Sequence, residues 1–372
     1  MNHAGRSRNP SRSAVSAIPW QSRILGRLSK PLRYIGLVHS KNETMVNVDR
    51  RKSPVFVLGC PRSGTTLLYH MLLSAGGFAV YRAETHVFDL LAPRFGNLAT
   101  RADCKRLLEA WLQTEYFRRT GLPGEEFSAR VLSECHSGGD FLRLLIESIA
   151  EQQGARRWAE CTPEHLLYTR EIRKALPNAL VIHVIRDGRD VAMSLAKQGW
   201  IRPFAWDSGR GLLVAGLYWR WLVDRGRELG RELGSDYLEV RFEELNAHPR
   251  ETLAAIEKFI GQALDYDSIL RNGIGSVSEP NTSFGGDGKQ LNPVGRWRNL
   301  PPAELAELEA VLSHSLRELN YEGTAAGAPS LSLAARGNLY SLWFSAKLWL
   351  KSHTPLSRSV DTLLPDLPPG GD

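Results

Sequence analysis

Short apolar runs alternate with longer segments of helical periodicity along the centre of this chain. Residues 55–58 form one such run, and a loop of small residues separates it from a helical pattern that begins at Thr65. Residues 179–185 are almost continuously apolar, which is typical of a strand buried on both faces in a parallel sheet. A helical pattern follows this run as well. The alternation predicts an α/β fold with a mostly parallel central sheet flanked by helices.

Further elements follow from the same periodicities. Residues 78–81 predict a second, short strand. Residues 273–292 are rich in Gly, Ser and Asn and predict a mobile loop. Helices are expected over residues 104–117, 141–151, 212–229 and 249–260.

Composition agrees with a soluble globular protein, because 42% of the residues are hydrophobic and 23% are charged. No apolar run approaches the roughly 20 residues that span a bilayer, and we see no signal-peptide pattern. The four cysteines match no metal-binding spacing; they are Cys60, Cys104, Cys135 and Cys161. We expect reduced thiols in a cytoplasmic protein.

Positive charge is concentrated in the first 52 residues, which hold eleven Lys and Arg against two acidic residues. Because the remaining chain is close to neutral, we do not expect a nucleic-acid partner. Residues 20–38 have the spacing of a basic amphipathic helix, which could lie on an anionic membrane or pack on the domain. Residues 331–352 are aromatic and mildly basic and leave the same two alternatives open. Peripheral membrane contact is therefore one expectation.

The loop after the first predicted strand, residues 59–64, is called the anion loop here. Its glycines allow backbone N–H groups to turn inward, and the following helix start adds unpaired N–H groups and a positive dipole end. Gly59 and Gly64 have the spacing of a Walker A motif, but Thr65 stands where that motif has Lys. The nearest cation is Arg62, whose guanidinium can bridge two oxygens of an oxyanion. The pattern predicts a site for a phosphate-like group without the usual Mg·NTP fittings.

The segment Arg62, Ser63, Gly64, Thr65 and Thr66, preceded by Pro61, resembles the 5′-phosphosulfate loop of sulfotransferases that use 3′-phosphoadenosine 5′-phosphosulfate, PAPS. The Arg variant resembles the bacterial branch of that family and the tyrosylprotein sulfotransferases. The resemblance implies a P-loop NTPase-like fold, and a single catalytic domain over residues 53–322. Before this domain we expect a basic, partly disordered segment over residues 1–52. After it we expect an aromatic and basic extension with a disordered tail over residues 323–372.

The second predicted anion site follows residues 179–185. Arg186 and, eight residues later, Ser194 resemble the family's 3′-phosphate site. An Arg at the carboxyl end of a strand and a Ser on the next helix can converge on one phosphate in the crevice where α/β sheets bind ligands. Without Arg186, the strand ending at Asp187 would also be compatible with a Walker B element.

Glu84 and His86 lie in a segment that resembles the region of the catalytic Glu in tyrosylprotein and heparan glucosaminyl sulfotransferases. By this resemblance Glu84 is the general base and His86 orients the base or the substrate. Taken alone, a Glu in a loop is more often solvated surface.

Two later segments extend the resemblance. Gly295, Arg296, Trp297 and Arg298 resemble the basic loop that closes over the 3′-phosphate and adenosine. Residues 157–165 resemble a Trp-x-Glu-Lys-Thr-Pro-x-His segment, with Cys161 where many relatives have Lys. Arg62, Lys289 or Arg296 could supply the missing cation, and Cys161 is expected to be a buried structural residue.

We therefore predict a sulfotransferase that moves a sulfuryl group from PAPS, with 3′-phosphoadenosine 5′-phosphate as product and no metal required. The acceptor is a carbohydrate, lipid, peptide or small molecule with a hydroxyl or amine. One alternative is a P-loop small-molecule kinase that uses Mg·ATP, with Asp187 or Asp190 as its metal carboxylate. The other alternative is a membrane-attached binding protein without catalytic activity.

Overall fold

The structure is a computed structural model, and it describes residues 49–278, 292–323 and 329–353. Five parallel strands form one sheet in the order β2-β3-β1-β4-β5. The strands are β1 Val55–Gly59, β2 Phe78–Ala79, β3 Arg157–Glu160, β4 Leu180–Ile185 and β5 Tyr237–Arg241. The predicted α/β fold with a parallel sheet is confirmed.

Helices cover both faces of this sheet. In the described part of the chain the α-helices are α1 Thr65–Ala75, α2 Ala92–Arg94, α3 Arg101–Trp111, α4 Glu115–Arg118, α5 Gly124–Glu134, α6 Gly138–Gln153, α7 Thr169–Ala175, α8 Gly188–Gln198, α9 Gly211–Glu232, α10 Phe242–Ala247, α11 Pro249–Ile260, α12 Tyr266–Asn272, α13 Pro302–Glu318 and α14 Leu331–His353. A π-helical turn covers Val87–Leu91, and short 3-10 turns include Pro163–Tyr168 and Arg296–Asn299.

The two central strands bring the predicted anion sites together. β1 and β4 run in register from Val55 opposite Leu180 to Gly59 opposite Val184. A Cβ on Gly59 would lie 2.5 Å from the Val184 carbonyl oxygen, so only glycine permits this approach. The loops that follow the two strands therefore leave the sheet side by side, at the edge where parallel sheets bind ligands.

Two of the predicted elements differ in detail from the structure. The helix expected over residues 104–117 is divided into α3 and α4, because the Thr114 hydroxyl donates to the Trp111 carbonyl and accepts from the Phe117 N–H. The strand expected over residues 78–81 has only two residues. Beyond it, the Gln153 side-chain oxygen accepts from the Val80 N–H at 2.7 Å, and the Gln153 side-chain nitrogen donates to the Val80 carbonyl at 2.9 Å. These two bonds replace those that a paired strand would make.

The last helix, α14, packs against α9 through one face. Leu333, Gly337, Tyr340 and Phe344 are buried there, at the spacing of one helical stripe. None of the described helices has the length and apolarity of a bilayer-spanning segment. The predicted amphipathic helix at residues 20–38, Lys289 and the predicted disordered tail lie outside the described residues, and the domain limits at 52 and 322 stay predictions.

Candidate active site

The anion loop joins β1 to α1 through two residues with positive φ, Arg62 at 72° and Gly64 at 94°. The Ser63 N–H donates to the Cys60 carbonyl at 3.0 Å, and α1 begins at Thr65. A Cβ on Gly64 would lie 2.2 Å from the Phe242 ring. Ser63 is fully buried, and its Oγ has no hydrogen-bond partner in the described part of the chain. Since buried hydroxyls are rarely left unsatisfied, a ligand oxygen fits this position.

Three guanidinium groups approach this loop. Arg62 Nε donates to Ser194 Oγ at 3.1 Å, and Arg186 Nη1 donates to the Arg62 carbonyl at 3.0 Å. Arg186 is buried, donates Nη2 to the Pro293 carbonyl, and has an Nε without a partner among the described residues. Burial and the charge of Arg186 lower the pKa of Arg62, against an opposing effect of Glu84. Burial, Arg186 and Arg62 likewise lower the pKa of Arg296, against an opposing effect of Asp190. Such mutual repulsion favours binding of an anion between them.

Asp190 on α8 fixes the position of the segment that carries Arg296. Its carboxylate accepts the Gly295 N–H at 2.8 Å and the Trp297 N–H at 3.0 Å. Trp297 is buried, with the Arg189 guanidinium 3.6 Å from its ring centroid. Arg298 is exposed, with its guanidinium 4.6 Å from the Trp297 ring centroid and 3.9 Å from Glu322. Of the four residues predicted here, Arg296 acts on the charge of the arginine group, Trp297 anchors the segment, and Arg298 packs on Trp297.

Asp187 and Asp190, either of which could have been the metal carboxylate of the kinase alternative, both accept hydrogen bonds from protein donors. Asp187 accepts the Arg189 N–H at 2.9 Å and both Nε and Nη2 of the Arg189 guanidinium. Asp190 holds the two N–H groups already described. Across residues 49–278, 292–323 and 329–353, no group of three or more His, Cys, Asp or Glu side chains is placed to hold a metal ion. The geometry does not favour the kinase alternative.

Glu84 lies at one end of a row of acidic and histidine side chains. Its Oε2 is 3.1 Å from His86 Nε2, and His86 Nδ1 is 3.1 Å from Asp89 Oδ2. His86 has a φ of 49° and directly precedes the π-helical turn that carries Asp89. Such turns are frequent at functional sites. The Glu84 side chain is 40% exposed, so an acceptor can reach it.

The row continues into the core through His165. Asp89 Oδ1 lies 3.4 Å from His165 Nε2, and His165 Nδ1 lies 3.3 Å from Glu160 Oε2. The other oxygen of Glu160 accepts from the hydroxyls of Thr85, at 2.9 Å, and Thr162. Because Thr85 adjoins Glu84, the row fixes the backbone beside the predicted base from two directions.

The charges along this row follow from its alternation. Burial alone would lower the pKa of His86, but Asp89 and Glu84 raise it well above its ordinary value. Burial likewise opposes protonation of His165, yet Glu160 and Asp89 raise its pKa to about 9. Burial would raise the pKa of Asp89, but His86 and His165 hold it far below its ordinary value. These shifts favour the protonated form of both histidines, each of which lies between two carboxylates, whereas the Phe88 N–H, 3.3 Å from His165 Nε2, opposes protonation at that nitrogen.

Sequence reasoning missed two acidic residues of the site. Asp89 joins the two histidines, as described above. Glu164 lies near the row, and burial together with Asp89 and Glu84 raises its pKa to about 7, against an opposing effect of His86. Asp89 stands three residues after His86 in the segment that resembles the heparan glucosaminyl sulfotransferases, but its contact with His165 and the raised pKa of Glu164 depend on neighbours far away in the sequence. Cys161 is buried as predicted, and burial with Glu84 and Glu160 raises the pKa of its thiol well above the ordinary value.

Aromatic residues lie at the rim of the site. The Arg62 guanidinium is 5.8 Å from the ring centroid of Trp200, which is 56% exposed. Trp219 is fully buried in the core, whereas Trp206 is 62% exposed. The rim therefore combines the cation of the anion loop with an accessible indole.

Known proteins resemble this chain in sequence. The model of the Sulfotransferase family matches residues 54–266, more than half of the chain. The protein-tyrosine sulfotransferase of Drosophila melanogaster is 27% identical over 223 residues, 59% of this chain and 40% of that protein. Protein-tyrosine sulfotransferase A of Caenorhabditis elegans is 27% identical over 297 residues, 74% of this chain and 69% of that protein.

A comparison with solved structures matches the sulfotransferase domain of the Synechococcus PCC 7002 olefin synthase. It is 20% identical, covers 79% of this chain and 94% of its own, and superposes with a TM-score of 0.45.

Proposed function

The chain belongs to the sulfotransferase family, and from that premise we propose that it transfers a sulfuryl group from PAPS to a hydroxyl or amine of an acceptor by in-line transfer. The family model covers the strands, the anion loop, Glu84 and the pair Arg186 and Ser194. The observation that carries the proposal is the buried Ser63 Oγ, which has no partner in the described part of the chain and adjoins Arg62, whose carbonyl Arg186 holds. A tetrahedral anion would satisfy this hydroxyl and relieve the repulsion between the arginines.

The donor end of the site is assigned to two groups of residues. Arg62, Ser63, Gly64, Thr65 and Thr66 would hold the 5′-phosphosulfate with the N-terminus of α1. Their donors are aimed at the oxygens on which charge develops in the transition state. PAPS, when bound, supplies the sulfuryl group that is transferred.

The 3′-phosphate of the donor is assigned to the second anion site. Arg186, whose Nε has no partner among the described residues, and Ser194 would hold this phosphate, and Arg296 would add a second cation. The segment from Gly295 to Trp297, fixed by Asp190, would cover it. Fixing the donor at this remote end orients the reacting end, which lowers the entropic part of the barrier.

Glu84 is assigned as the general base. The His86 imidazolium donates to one oxygen of Glu84, which leaves the other oxygen to accept the proton of the acceptor group. Asp89 holds His86 from its other side, and His165 and Glu160 hold Asp89 in turn. Cys161 stands where many relatives have Lys, and its thiol is neutral. Among the cations in the described part of the chain, Arg62 is the best placed to take the role of that Lys.

The proposal requires no metal ion, because the donor has no γ-phosphate and the anion loop supplies the cation through Arg62. We further propose that the protein is cytoplasmic, which agrees with its four unpaired cysteines. The proposed acceptor is a carbohydrate, a lipid, a peptide or a small molecule. The two tyrosine-sulfating relatives make tyrosine peptides one class to include.

The reaction is tested with radiolabelled PAPS and a panel of acceptors from these four classes. We expect the purified full chain to transfer label to at least one acceptor. The rate of transfer should be unchanged after treatment with EDTA. Glu84→Gln serves as the inactive control, and Leu270→Glu, an exposed substitution on α12, as the active one. If the Glu84→Gln variant transfers label at the wild-type rate, Glu84 is not the general base.

A further inference from the structure

His165 is a buried imidazole with three polar neighbours and only two ring nitrogens. Its Nδ1 lies 3.3 Å from Glu160 Oε2. Its Nε2 accepts the Phe88 N–H at 3.3 Å and lies 3.4 Å from Asp89 Oδ1. Because a ring nitrogen either donates or accepts at one time, Nε2 can serve Phe88 or Asp89 but not both. The two nearly equal distances place His165 between alternative hydrogen bonds.

Asp89 Oδ1 is the atom that the second alternative would satisfy. This oxygen is buried and accepts no hydrogen bond from the part of the chain that the structure describes. The other oxygen of the same carboxylate, Oδ2, lies 3.1 Å from His86 Nδ1. A buried carboxylate oxygen without a donor costs free energy. A proton on His165 Nε2 would supply the donor, and this charge-assisted bond is stronger than the neutral bond from Phe88 that it replaces.

The charged groups beside His165 favour this proton. Glu160 of β3 and Asp89 of the π-helical turn lie at the two ring nitrogens, and they raise the pKa of His165 to about 9 although burial lowers it. Other titratable groups lie around Asp89, which raises the pKa of each; they are His86, Glu164, Tyr168, Tyr218 of α9 and Lys351 of α14.

We propose that His165 is a positioning residue for Glu84 and that it acts by donating from Nε2 to Asp89 Oδ1. With this bond made, Asp89 is held through both oxygens, so its Oδ2 stays on His86 and His86 stays on Glu84. When His165 releases the proton to water, Nε2 accepts the Phe88 N–H and Asp89 Oδ1 loses its donor. The orientation of the base is then less fixed, which slows the transfer.

Glu160 connects the same imidazole to the backbone beside the base. Its Oε1 accepts from the hydroxyls of Thr85, at 2.9 Å, and Thr162. The Thr162 hydroxyl oxygen in turn accepts the Thr85 N–H at 2.9 Å. His165 therefore contacts one carboxylate that orients the side chain of Glu84 through His86, and another that holds the adjoining backbone. The inference rests on the proposed function, because it concerns the base of that reaction.

Two substitutions separate the two ring nitrogens. His165→Gln puts its amide near the place of Nε2, where the N–H can donate to Asp89 while the oxygen accepts from Phe88. His165→Asn has a shorter side chain, whose amide lies near the place of Nδ1. We expect kcat to fall by about 10- to 100-fold in His165→Asn and by less than about 10-fold in His165→Gln, with KM near the wild-type value in both. Equal losses of kcat would indicate a purely structural role and overturn the inference.

The pH profile of kcat gives a readout that a purely structural residue would not change. In the wild type, kcat should fall as the pH rises through about 9, because His165 loses the proton that it donates to Asp89. In His165→Gln the donor does not titrate, so this fall should be absent. Leu270→Glu, an exposed substitution on α12, should keep the wild-type profile. The same fall in His165→Gln as in the wild type would contradict the inference.

A double substitution tests whether His165 acts through Glu84. In the Glu84→Gln background, His165→Asn should lower kcat little further, because the base that it positions is already lost. A further loss as large as that in the wild-type background would show that His165 acts elsewhere and would overturn the inference. Thermal unfolding and binding of 3′-phosphoadenosine 5′-phosphate are recorded for every variant, so that a folding defect is recognised.

The protonation of His165 is also measured without an acceptor, by ¹⁵N NMR of the full chain labelled at histidine. The signals of His165 are identified by their absence in His165→Gln. We expect an imidazolium at pH 7 that titrates near pH 9. Asp89→Asn should lower this pKa, whereas Glu304→Gln, an exposed carboxylate on α13, should not.

The two kinds of measurement distinguish the inference from the proposed function. A neutral His165 at pH 7, or a pKa that Asp89→Asn leaves unchanged, would overturn the inference whatever the activity. The expected titration, together with no transfer of label to any acceptor, would support the bond from His165 to Asp89 and contradict the proposed function.

Discussion

At the scale of single residues, Glu84 is the side chain on which the proposed chemistry depends. His86 holds one of its oxygens, and its exposure leaves the other accessible. Because Gln keeps the shape but cannot accept the proton, we expect Glu84→Gln to lower kcat by roughly 100- to 10,000-fold. The measurement is turnover of labelled donor at saturating acceptor, and binding of 3′-phosphoadenosine 5′-phosphate should be unchanged. Wild-type kcat in this variant would contradict the assignment.

His86 is expected to act through Glu84 rather than on the substrate. His86→Gln can still donate to Glu84 but cannot carry the charge that Asp89 stabilises. We expect kcat to fall by about 10-fold, less than for Glu84→Gln, with little change in KM. The rate is measured across a pH series, in which a shifted acidic limb in the variant would support the orienting role. A loss as large as that of Glu84→Gln would instead make His86 the base.

Glu164 makes a prediction about stability and pH. Its ordinary pKa of 4.5 is raised to about 7 by burial and by Asp89 and Glu84. The folded protein therefore holds this proton more tightly than the unfolded chain, and stability is lost as pH rises from about 4.5 to about 7. Glu164→Gln removes this loss, on the order of 1 to 3 kcal/mol after allowance for partial solvation.

The free energy of unfolding is compared between wild type and Glu164→Gln at pH 5 and pH 8 by denaturant titration. We expect the variant to gain on the wild type as the pH rises. Glu304→Gln, an exposed position on α13, is the control for the loss of a surface carboxylate. A difference between variant and wild type that stays constant over this range would contradict the raised pKa.

At the scale of elements, the contact between α8 and the segment from Gly295 to Trp297 positions Arg296. Asp190 makes this contact through two backbone hydrogen bonds, although its negative charge by itself repels an anionic ligand. Asp190→Ala therefore separates two effects. If positioning dominates, affinity for 3′-phosphoadenosine 5′-phosphate falls by about 10-fold or more, equivalent to about 1.4 kcal/mol.

The affinity is measured by calorimetric titration, with Arg298→Ala as the control on the same segment. Arg298 is exposed and pairs with Glu322, so its loss should lower the affinity less than Asp190→Ala does. Tighter binding by Asp190→Ala would show that charge repulsion outweighs positioning.

The elements that local sequence determines were predicted well. α11 has the expected limits, and β1 and β4 lie where continuous apolar runs predicted them. Elements whose limits depend on a residue far away in the sequence were predicted less well. The Gln153 side chain ends β2 early, and no local pattern around residues 78–81 indicates this contact. Turn chemistry at Thr114 was likewise overlooked within a helical periodicity.

The same distinction applies to the candidate site. Arg62, Arg186 and Ser194 could be predicted because each lies at a fixed distance from a strand end, and the register of β1 and β4 brings them together. The linking role of Asp89 and the raised pKa of Glu164 could not be predicted. Both arise from side chains that meet only when β3, the π-helical turn and the Pro163–Tyr168 turn pack together.

At the scale of the whole molecule, one parallel sheet carries both the proposed donor site and the proposed general base, Glu84. Residues 53–322 are predicted to contain both, and the family model covers most of this range. α14 packs against α9 through one face. The account is thus a sulfotransferase-family chain whose proposed donor site lies at the carboxyl ends of β1 and β4.

The central claim is that the two anion sites bind the donor nucleotide. Isothermal titration of the full chain with 3′-phosphoadenosine 5′-phosphate, and separately with Mg·ATP, tests it most directly. We expect saturable binding of the bisphosphate, weakened by about 10-fold or more in Arg186→Ala, and little binding of Mg·ATP. Tight binding of Mg·ATP, with no response to the bisphosphate, would contradict the account.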